Sequence, residues 1–442
     1  MSKPSGAIDM TQGKPINLML RFALPMMIGS IFQSLYSMVD SAVLGRFVGS
    51  HALAAIGATT STTGLILLLA TGVTSAVSIV LSQYVGANDT DRVRKGIVAS
   101  GWITLLLGVV LGLISVFAAR PLMQLLKTPE DVIDMSVLYI QIVCGCGIAQ
   151  FAYNAAASIL RALGDSKTPL YFLVFSSVLN IILDIVFIVP MHMGVAGAAW
   201  ATILSQFLSA VFSTVVGLRN FPILHLRRED FHDLKGAAVL HLKTGFPMGF
   251  QMSVMCIGQL AMQAAVNRIG TSAIAGYTAA NKVDQLSVLV DNAVGIGIAN
   301  YVAQNYGAGK MDRIKKGVWH CFLMLTAMNF AMGALLLLGQ SFVVPMFVTN
   351  PTAEIMQYSK DYLFTVVPFY CFLGALLVYR TAIQSVGNTW APFAACVIEL
   401  AARILCASVL SVPVGYRAVC FATPFAWLTA LSLLIPVYIV LI

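Results

Sequence analysis

Acidic side chains set inside long apolar runs are the residues of this sequence best placed to do chemistry. Asp40 closes a polar stripe of Gln33, Tyr36, Ser37 and Asp40, whose spacings of three and four put it on one helix face. Asn180 and Asp184 stand four apart on a later apolar segment, with Ser176 one turn before Asn180, and Thr202, Gln206, Ser209 and Ser213 form a third polar face. An ionised side chain at the centre of a bilayer costs on the order of 2.5–3.5 kcal/mol even on lenient scales, so residues kept there usually serve a function. Brought together, these faces would make a small oxygen-rich site. Asp40 and Asp184, with an amide and a hydroxyl beside them, suit a hard metal cation such as Na+. Two carboxylates in one dry pocket cannot readily both ionise, so the same pair would equally hold a proton. The alternative is that these acids hydrogen-bond neighbouring helices as structural glue.

A second set lies further along: Lys282, Asp284 and Asp291 in one span, and Glu399 with Arg403 in another. Glu399 and Arg403 are spaced to pair on one helix face, as a structural salt bridge. Lys282 and Asp284 are candidates for touching a substrate. Met248, Met252, Met255 and Met262 recur at helical spacing, a polarisable surface that suits an accommodating apolar cavity, or else ordinary packing. Engines of hydrolysis are missing. The fragment GAGK (Gly307 to Lys310) lacks the earlier glycine of a phosphate-binding loop and is followed by Met311, and neither HExxH nor GxSxG occurs. The chain therefore reads as a non-enzyme that needs no cofactor beyond a coupling ion, H+ or Na+. Its eight cysteines fall in or beside apolar segments without a CxxC pair and read as small buried hydrophobes.

The elements that must position these residues follow from composition. Of 442 residues, 59% are hydrophobic and 10% charged, with a mean hydropathy of +0.87. A soluble domain carries about 25% charged residues, so this surface meets lipid, and apolar runs of at least about 18 residues recur throughout. Spans are expected near 16–42, 52–84, 93–118, 132–157, 168–189 and 194–217, then 237–264, 273–305, 314–342, 357–383, 390–411 and 417–441. The opening residues to Lys14 are polar and lack the apolar core of a cleavable signal, which leaves the first span as the insertion signal. The net charge of +8 and pI near 9.1 do not imply nucleic acid, because the basic residues sit in alternate short connections and set topology. With a cytoplasmic N-terminus, Lys3, Arg92, Arg94, Lys95, Arg161, Arg227, Arg228, Lys310, Arg313, Lys315, Lys316 and Arg380 fall inside. Arg46, Arg120, Lys127, Arg268, Lys360 and Arg417 fall outside. Both termini are thereby placed in the cytoplasm.

The two halves are copies. QYVGANDTDRVRKG (Gln83 to Gly96) aligns with QNYGAGKMDRIKKG (Gln304 to Gly317), and a nearly constant offset pairs Pro25 with Pro247, Arg46 with Arg268, Pro129 with Pro351 and Gly164 with Gly387. Six spans per copy is an even number, so the repeats are parallel. The expected fold is an all-α membrane protein of twelve transmembrane helices: residues 1–217 as an N-terminal six-helix lobe, 218–236 as a cytoplasmic connecting loop exposed to water, and 237–442 as a C-terminal lobe. The repeat maps Asp40 to Met262, Asp184 to Ala407 and Asn180 to Arg403. A purely architectural role would survive in both copies, which points to an ion site in the first half alone. Pro25 is a place for the first helix to bend as a hinge.

YSMVDSAVLGRFVGSHALAAIG (Tyr36 to Gly57), SQYVGAND (Ser82 to Asp89), RALGDSKTP (Arg161 to Pro169) and GVAGAAWATILSQ (Gly194 to Gln206) resemble the multidrug and toxic compound extrusion (MATE) family, over nearly the whole chain. The resemblance implies a V-shaped pair of six-helix lobes that exports drugs, often cationic and aromatic, in exchange for protons or sodium. It also implies an ion site in the N-terminal lobe whose aspartate, asparagine, aspartate and threonine fall here on Asp40, Asn180, Asp184 and Thr202. Some sodium-coupled relatives carry an acid on the seventh helix; this sequence has Gln251, Gln259 and Gln263 there instead. The function expected is a cation-coupled antiporter in the bacterial cytoplasmic (inner) membrane. Its substrate cavity would be lined by Gln33, Tyr36, Met252, Met255, Lys282 and Asp284. Its partners would be small organic molecules and the bilayer, with no nucleic acid and no obligatory protein partner. The alternative is a flippase for lipid-linked precursors, whose cavity should hold several basic residues where Lys282 and Arg403 are the deep candidates here.

Overall fold

Residues 7–126, 128–346 and 352–442 are described by a computed structural model. Of the sequence-level assignments, Lys3, Lys127 and Pro351 lie outside the described residues. In hydrocarbon every backbone N–H and C=O must be satisfied within the protein, which leaves helices as the economical solution for apolar runs. The described residues form no strand. The long helices are α1 (Pro15–Phe47), α2 (Ser50–Gly86), α3 (Thr90–Leu125), α4 (Glu130–Ala162), α5 (Lys167–Ile188) and α6 (Gly194–Asn220), then α7 (Lys235–Asn267), α8 (Thr271–Gly307), α9 (Met311–Val343), α10 (Ala353–Ser385), α11 (Trp390–Val414) and α12 (Tyr416–Leu441). Eleven of these contain a stretch long and apolar enough to cross a membrane. The remaining one, α7, is equally long at 33 residues, with Gln251, Gln259 and Gln263 interrupting its apolar run.

The repeat is visible in the backbone itself. Gly49 and Gly270, Asn88 and Gly309, and Gly164 and Gly387 are paired by the sequence offset, and all six adopt positive φ. The fourth and tenth spans break at the same place: α4 is interrupted between Gly145 and Ile148, and α10 by a tight turn at Val367–Phe369. The helix that follows starts in the same way in both copies. Asp165 accepts from the backbone N–H of Lys167 and Thr168, both at 3.0 Å, and Asn388 accepts from that of Ala391 at 3.2 Å.

By packing, the chain forms two compact units, and their limits differ from the sequential halves. The first takes residues 7–9 and Pro25–Gly249; the second takes Met10–Leu24 and Phe250–Ile442. The change of unit falls at Pro25 in α1 and two residues after Pro247 in α7, so each of these helices serves both units. The connection after α6 is also more structured than an exposed loop. It holds two short helical turns, Pro222–Leu224 and Arg228–Phe231, and Phe221 is buried against Val77, Leu81, Val93 and Leu160. An aromatic side chain gains more by entering that core than by remaining in water.

Gly164 is where the first unit tolerates least change. Its φ is +91°, and a Cβ would lie 2.4 Å from the Ile8 carbonyl oxygen, next to the Ile8 N–H···O bond to Gly164 (2.9 Å). Gly49 shares a positive φ of 109° but has open space around it. Gly164→Ala is therefore expected to lose about 2–4 kcal/mol through conformational strain plus overpacking, and Gly49→Ala about 1–2 kcal/mol through strain alone. Thermal unfolding of both variants in detergent checks the order.

Candidate ion site

The first unit brings the predicted polar faces together. α5 and α6 pack closely against each other, and the Ser209 hydroxyl of α6 donates to the Phe172 carbonyl of α5 at 3.0 Å. Across this hairpin, Asn180 and Asp184 are buried, at 2% and 0% exposure. The full burial of Asp184 is informative because it stands only one turn from the end of α5, where hydration would have been the ordinary expectation. The Asn180 amide nitrogen, oriented toward Asp184, donates to Oδ2 at 3.2 Å, and its oxygen accepts from the Thr202 backbone N–H at 3.2 Å; amide orientation follows from the surrounding donors and acceptors. The Thr202 hydroxyl donates to the Ala198 carbonyl at 3.0 Å and stands 3.5 Å from the same amide. Its own lone pairs stay available to a cation.

α1 supplies the second carboxyl. Gly29 lets this helix pack against Leu170 and Leu173 of α5, and about three turns further on it delivers Asp40, half-buried, within hydrogen-bonding reach of Asp184. Asp40 Oδ1 and Asp184 Oδ1 are both buried without a hydrogen-bond partner. Two carboxyls in contact, each with one unsatisfied oxygen, are poorly placed to remain ionised together. A cation or a proton between them relieves both. An amide fixed by its neighbours and a threonine complete an all-oxygen donor set of the kind a hard cation prefers.

Tyr36 of α1 is half-buried, hydrogen-bonds with Gln33 and lies within electrostatic reach of both aspartates. The site also holds a residue that sequence spacing did not single out: Tyr139 of α4 lies within electrostatic reach of Asp40, Tyr36 and Asp184. A tyrosine set in an apolar span is the signal that the sequence offers for it.

The other predicted positions are distributed as follows. Pro25 is buried in α1 where the first unit begins. Met252 and Met255 are half-buried on α7, whereas Met262 belongs to the core of the second unit. Lys282 and Asp284, two apart on α8, face differently: Lys282 is exposed, and Asp284 is buried, accepting from the hydroxyls of Tyr370 and of Tyr362 (3.5 Å). Arg380, counted above as a topology charge on the cytoplasmic side, is a buried ion-pair partner of Glu399. Arg403, the expected partner on the same helix, stands 4.0 Å away. The geometric reason is that α10 presents Arg380 directly to Glu399, while Arg403 reaches it only along the helix. Gln251 is buried as well and accepts from the Gln384 amide at 2.7 Å.

Comparison with known proteins speaks to the family and the fold. A family model described as MatE matches residues 25–186 and 247–416, one match in each repeat. The chain is 31% identical to the probable multidrug resistance protein YpnP of Bacillus subtilis (strain 168), over 86% of this chain and 85% of that protein. It is 30% identical to the probable multidrug resistance protein YoeA of the same organism, over 72% and 69%. Among solved structures, the outward-facing conformation of a multidrug resistance MATE family transporter of the MOP superfamily superposes with a TM-score of 0.90 at 20% identity, covering 99% of this chain and 98% of that one.

If the Asn180 amide serves the site, Asn180→Leu should raise the cation concentration for half-maximal transport about 10-fold or more, since a hydrogen bond to a charged group is worth about 1.5–3 kcal/mol. Titrating gradient-driven transport against the cation measures it, and an unchanged midpoint would reduce Asn180 to packing.

Proposed function

Because the chain belongs to the MatE family, whose members are membrane transporters and not enzymes, we propose that it exports small organic compounds, often cationic or aromatic, by cation-coupled antiport. The observation that carries this reading is the contact of Asp40 and Asp184 in the first unit, with one unpartnered oxygen on each carboxyl. A cation, H+ or Na+, enters this pair from outside and neutralises it. Asn180 and Thr202 orient the pair and share the load. Loading Asp40 alters the hydrogen bonding of α1 beyond Pro25, the point where that helix passes from one unit to the other.

Reshaping α1 moves Gln33 and Tyr36, which stand on the Asp40 face, and so lowers the affinity for substrate. By linkage, substrate binding lowers the affinity for the cation to the same degree, which is the coupling antiport demands. One elementary charge moving through 100 mV is worth about 2.3 kcal/mol, enough for roughly fifty-fold accumulation. Half-buried Met252 and Met255 offer an adaptable apolar surface to the exported molecule. The basic clusters Arg92, Arg94 and Lys95, and Lys310, Arg313, Lys315 and Lys316, at the starts of α3 and α9, support cytoplasmic termini in a bacterial inner membrane.

Proteoliposomes loaded with a fluorescent cationic dye test the proposal, with proton and sodium gradients imposed separately. Export is expected under one of the two gradients and to fall at least ten-fold in a correctly inserted Asp40→Asn variant. Full gradient-driven export by that variant would refute the mechanism. If neither gradient drives export, movement of a labelled lipid-linked sugar in the same vesicles would replace drug export with the flippase reading.

A further inference from the structure

One buried carboxyl has no part in the antiport mechanism. Asp291 of α8 is 0% exposed and lies in the second unit. Asn329 of α9, itself 2% exposed, donates its amide to Asp291 Oδ2 at 3.1 Å and to the Tyr370 carbonyl of α10 at 3.3 Å. That clamp fixes the carboxyl, and its other oxygen, Oδ1, is buried with no hydrogen-bond partner. The titratable groups within electrostatic reach of Asp291 are Asp284 on its own helix, Cys321 of α9 and Tyr370 of α10, none of them cationic. Arg403 of α11 acts on Asp284, which also accepts from Tyr370 and Tyr362.

An isolated buried carboxylate costs several kcal/mol unless it is paired, and a group in that position takes up a proton instead. A metal cation would demand a shell of oxygens, whereas Asn329 turns its N–H toward Asp291. A proton on Oδ1 needs no further ligand.

The internal repeat supplies the control. The register that pairs Gln83 with Gln304 and Arg46 with Arg268 puts Asp291 on Leu69 or Ala70, Asn329 on Leu107 or Gly108, and Tyr370 on Ile148. In the first unit the corresponding junction of α3 and α4 is closed by carbon: a Cβ built on Gly108 would meet Ile148 Cγ1 at 3.0 Å. The architecture therefore holds without an acid or an amide at this junction. Both polar groups are particular to the second copy.

We propose that Asp291 is a reversible proton-binding site in the second unit, held by Asn329 and separate from the Asp40–Asp184 pair. Its role in transport rests on the antiport reading above: with it, the carrier holds one ionisable station in each unit and can exchange more than one cation per substrate.

The site is read without substrate or gradient, by infrared spectroscopy of the purified full-length protein through a pH titration. The carbonyl stretch of a protonated carboxyl should persist in the Asp40→Asn/Asp184→Asn double variant and in the same background with Asp284→Asn. It should vanish when Asp291→Asn is added. Asn329→Leu keeps the acid but removes the clamp, so it should shift both the band and its midpoint; it serves if the Asp291 variant fails to fold. A band absent from the double variant, surviving Asp291→Asn, or indifferent to Asn329→Leu overturns the proposal. So does displacement of the band by Na+ at constant pH, which would make the ligand a metal cation. Since no transport is measured, a negative spectrum leaves the antiport reading standing, and failure of dye export leaves the spectrum intact.

Discussion

A carboxyl group surrounded by hydrocarbon cannot keep its charge without help, and the organisation of this molecule depends on where that help is given. Elsewhere the twelve spans satisfy the medium simply: their backbones bond internally and their hydroxyls bond back along the helix, as Thr63, Thr71, Thr74 and Ser75 do in α2. Apart from Asp284, held by the hydroxyls of Tyr370 and Tyr362, the acids inside the spans divide into two kinds. Glu399 is answered by Arg380, and the ion pair is structural. Among the described residues, Asp40, Asp184 and Asp291 meet no arginine or lysine at hydrogen-bonding distance, and each keeps one oxygen without a bond. On the reading proposed above, acids of the second kind are where a mobile cation would change the energy of the protein.

The repeat shows that the two copies have diverged at these acids while keeping the scaffold. Matching positive-φ positions and matching breaks in the fourth and tenth spans show a common backbone plan. On that plan Asp184 of α5 corresponds to Ala407 of α11, and α11 departs from regular geometry there, with a π-helical turn over Leu405–Leu410. Extra residues in a helical turn are common at functional positions. Asn180 corresponds to Arg403, which joins Glu399 instead of an ion site. Equivalent surfaces thus carry the paired carboxyls of the proposed ion site in one unit and a salt-bridged support in the other.

Much of this was legible in the sequence. Spans, repeat and the Asp40–Asn180–Asp184–Thr202 cluster could be read because a polar residue in a long apolar run is conspicuous, and helical spacing assigns it a face. Partnerships between helices could not be read that way. Asn329 meets Asp291 across 38 residues and Arg380 meets Glu399 across 19, so spacing along one helix reveals neither contact, and Arg380 reads from sequence as a topology charge. Tyr139 was hidden for the same reason. The exchange of ends between the two units is a matter of packing alone, since the repeat register runs through Pro25 and Pro247 without a break.

That exchange has a consequence for biogenesis. The segment Met10–Leu24 is translated before the whole of the first unit's helical body, yet it belongs to the second unit, where the Met10 backbone is held by the side chains of Gln304, Asn305 and Arg313. Its contacts span nearly 300 residues of chain, up to a separation of 303, and long-range closures of this kind are late and slow. The opening stretch of the protein must therefore wait, inserted but without its partners, until α8 and α9 have been translated. Over that interval it depends on the insertion machinery or on lipid for shelter. In a chain built from two tandem copies, residues made ahead of one copy thus find their place only with the other.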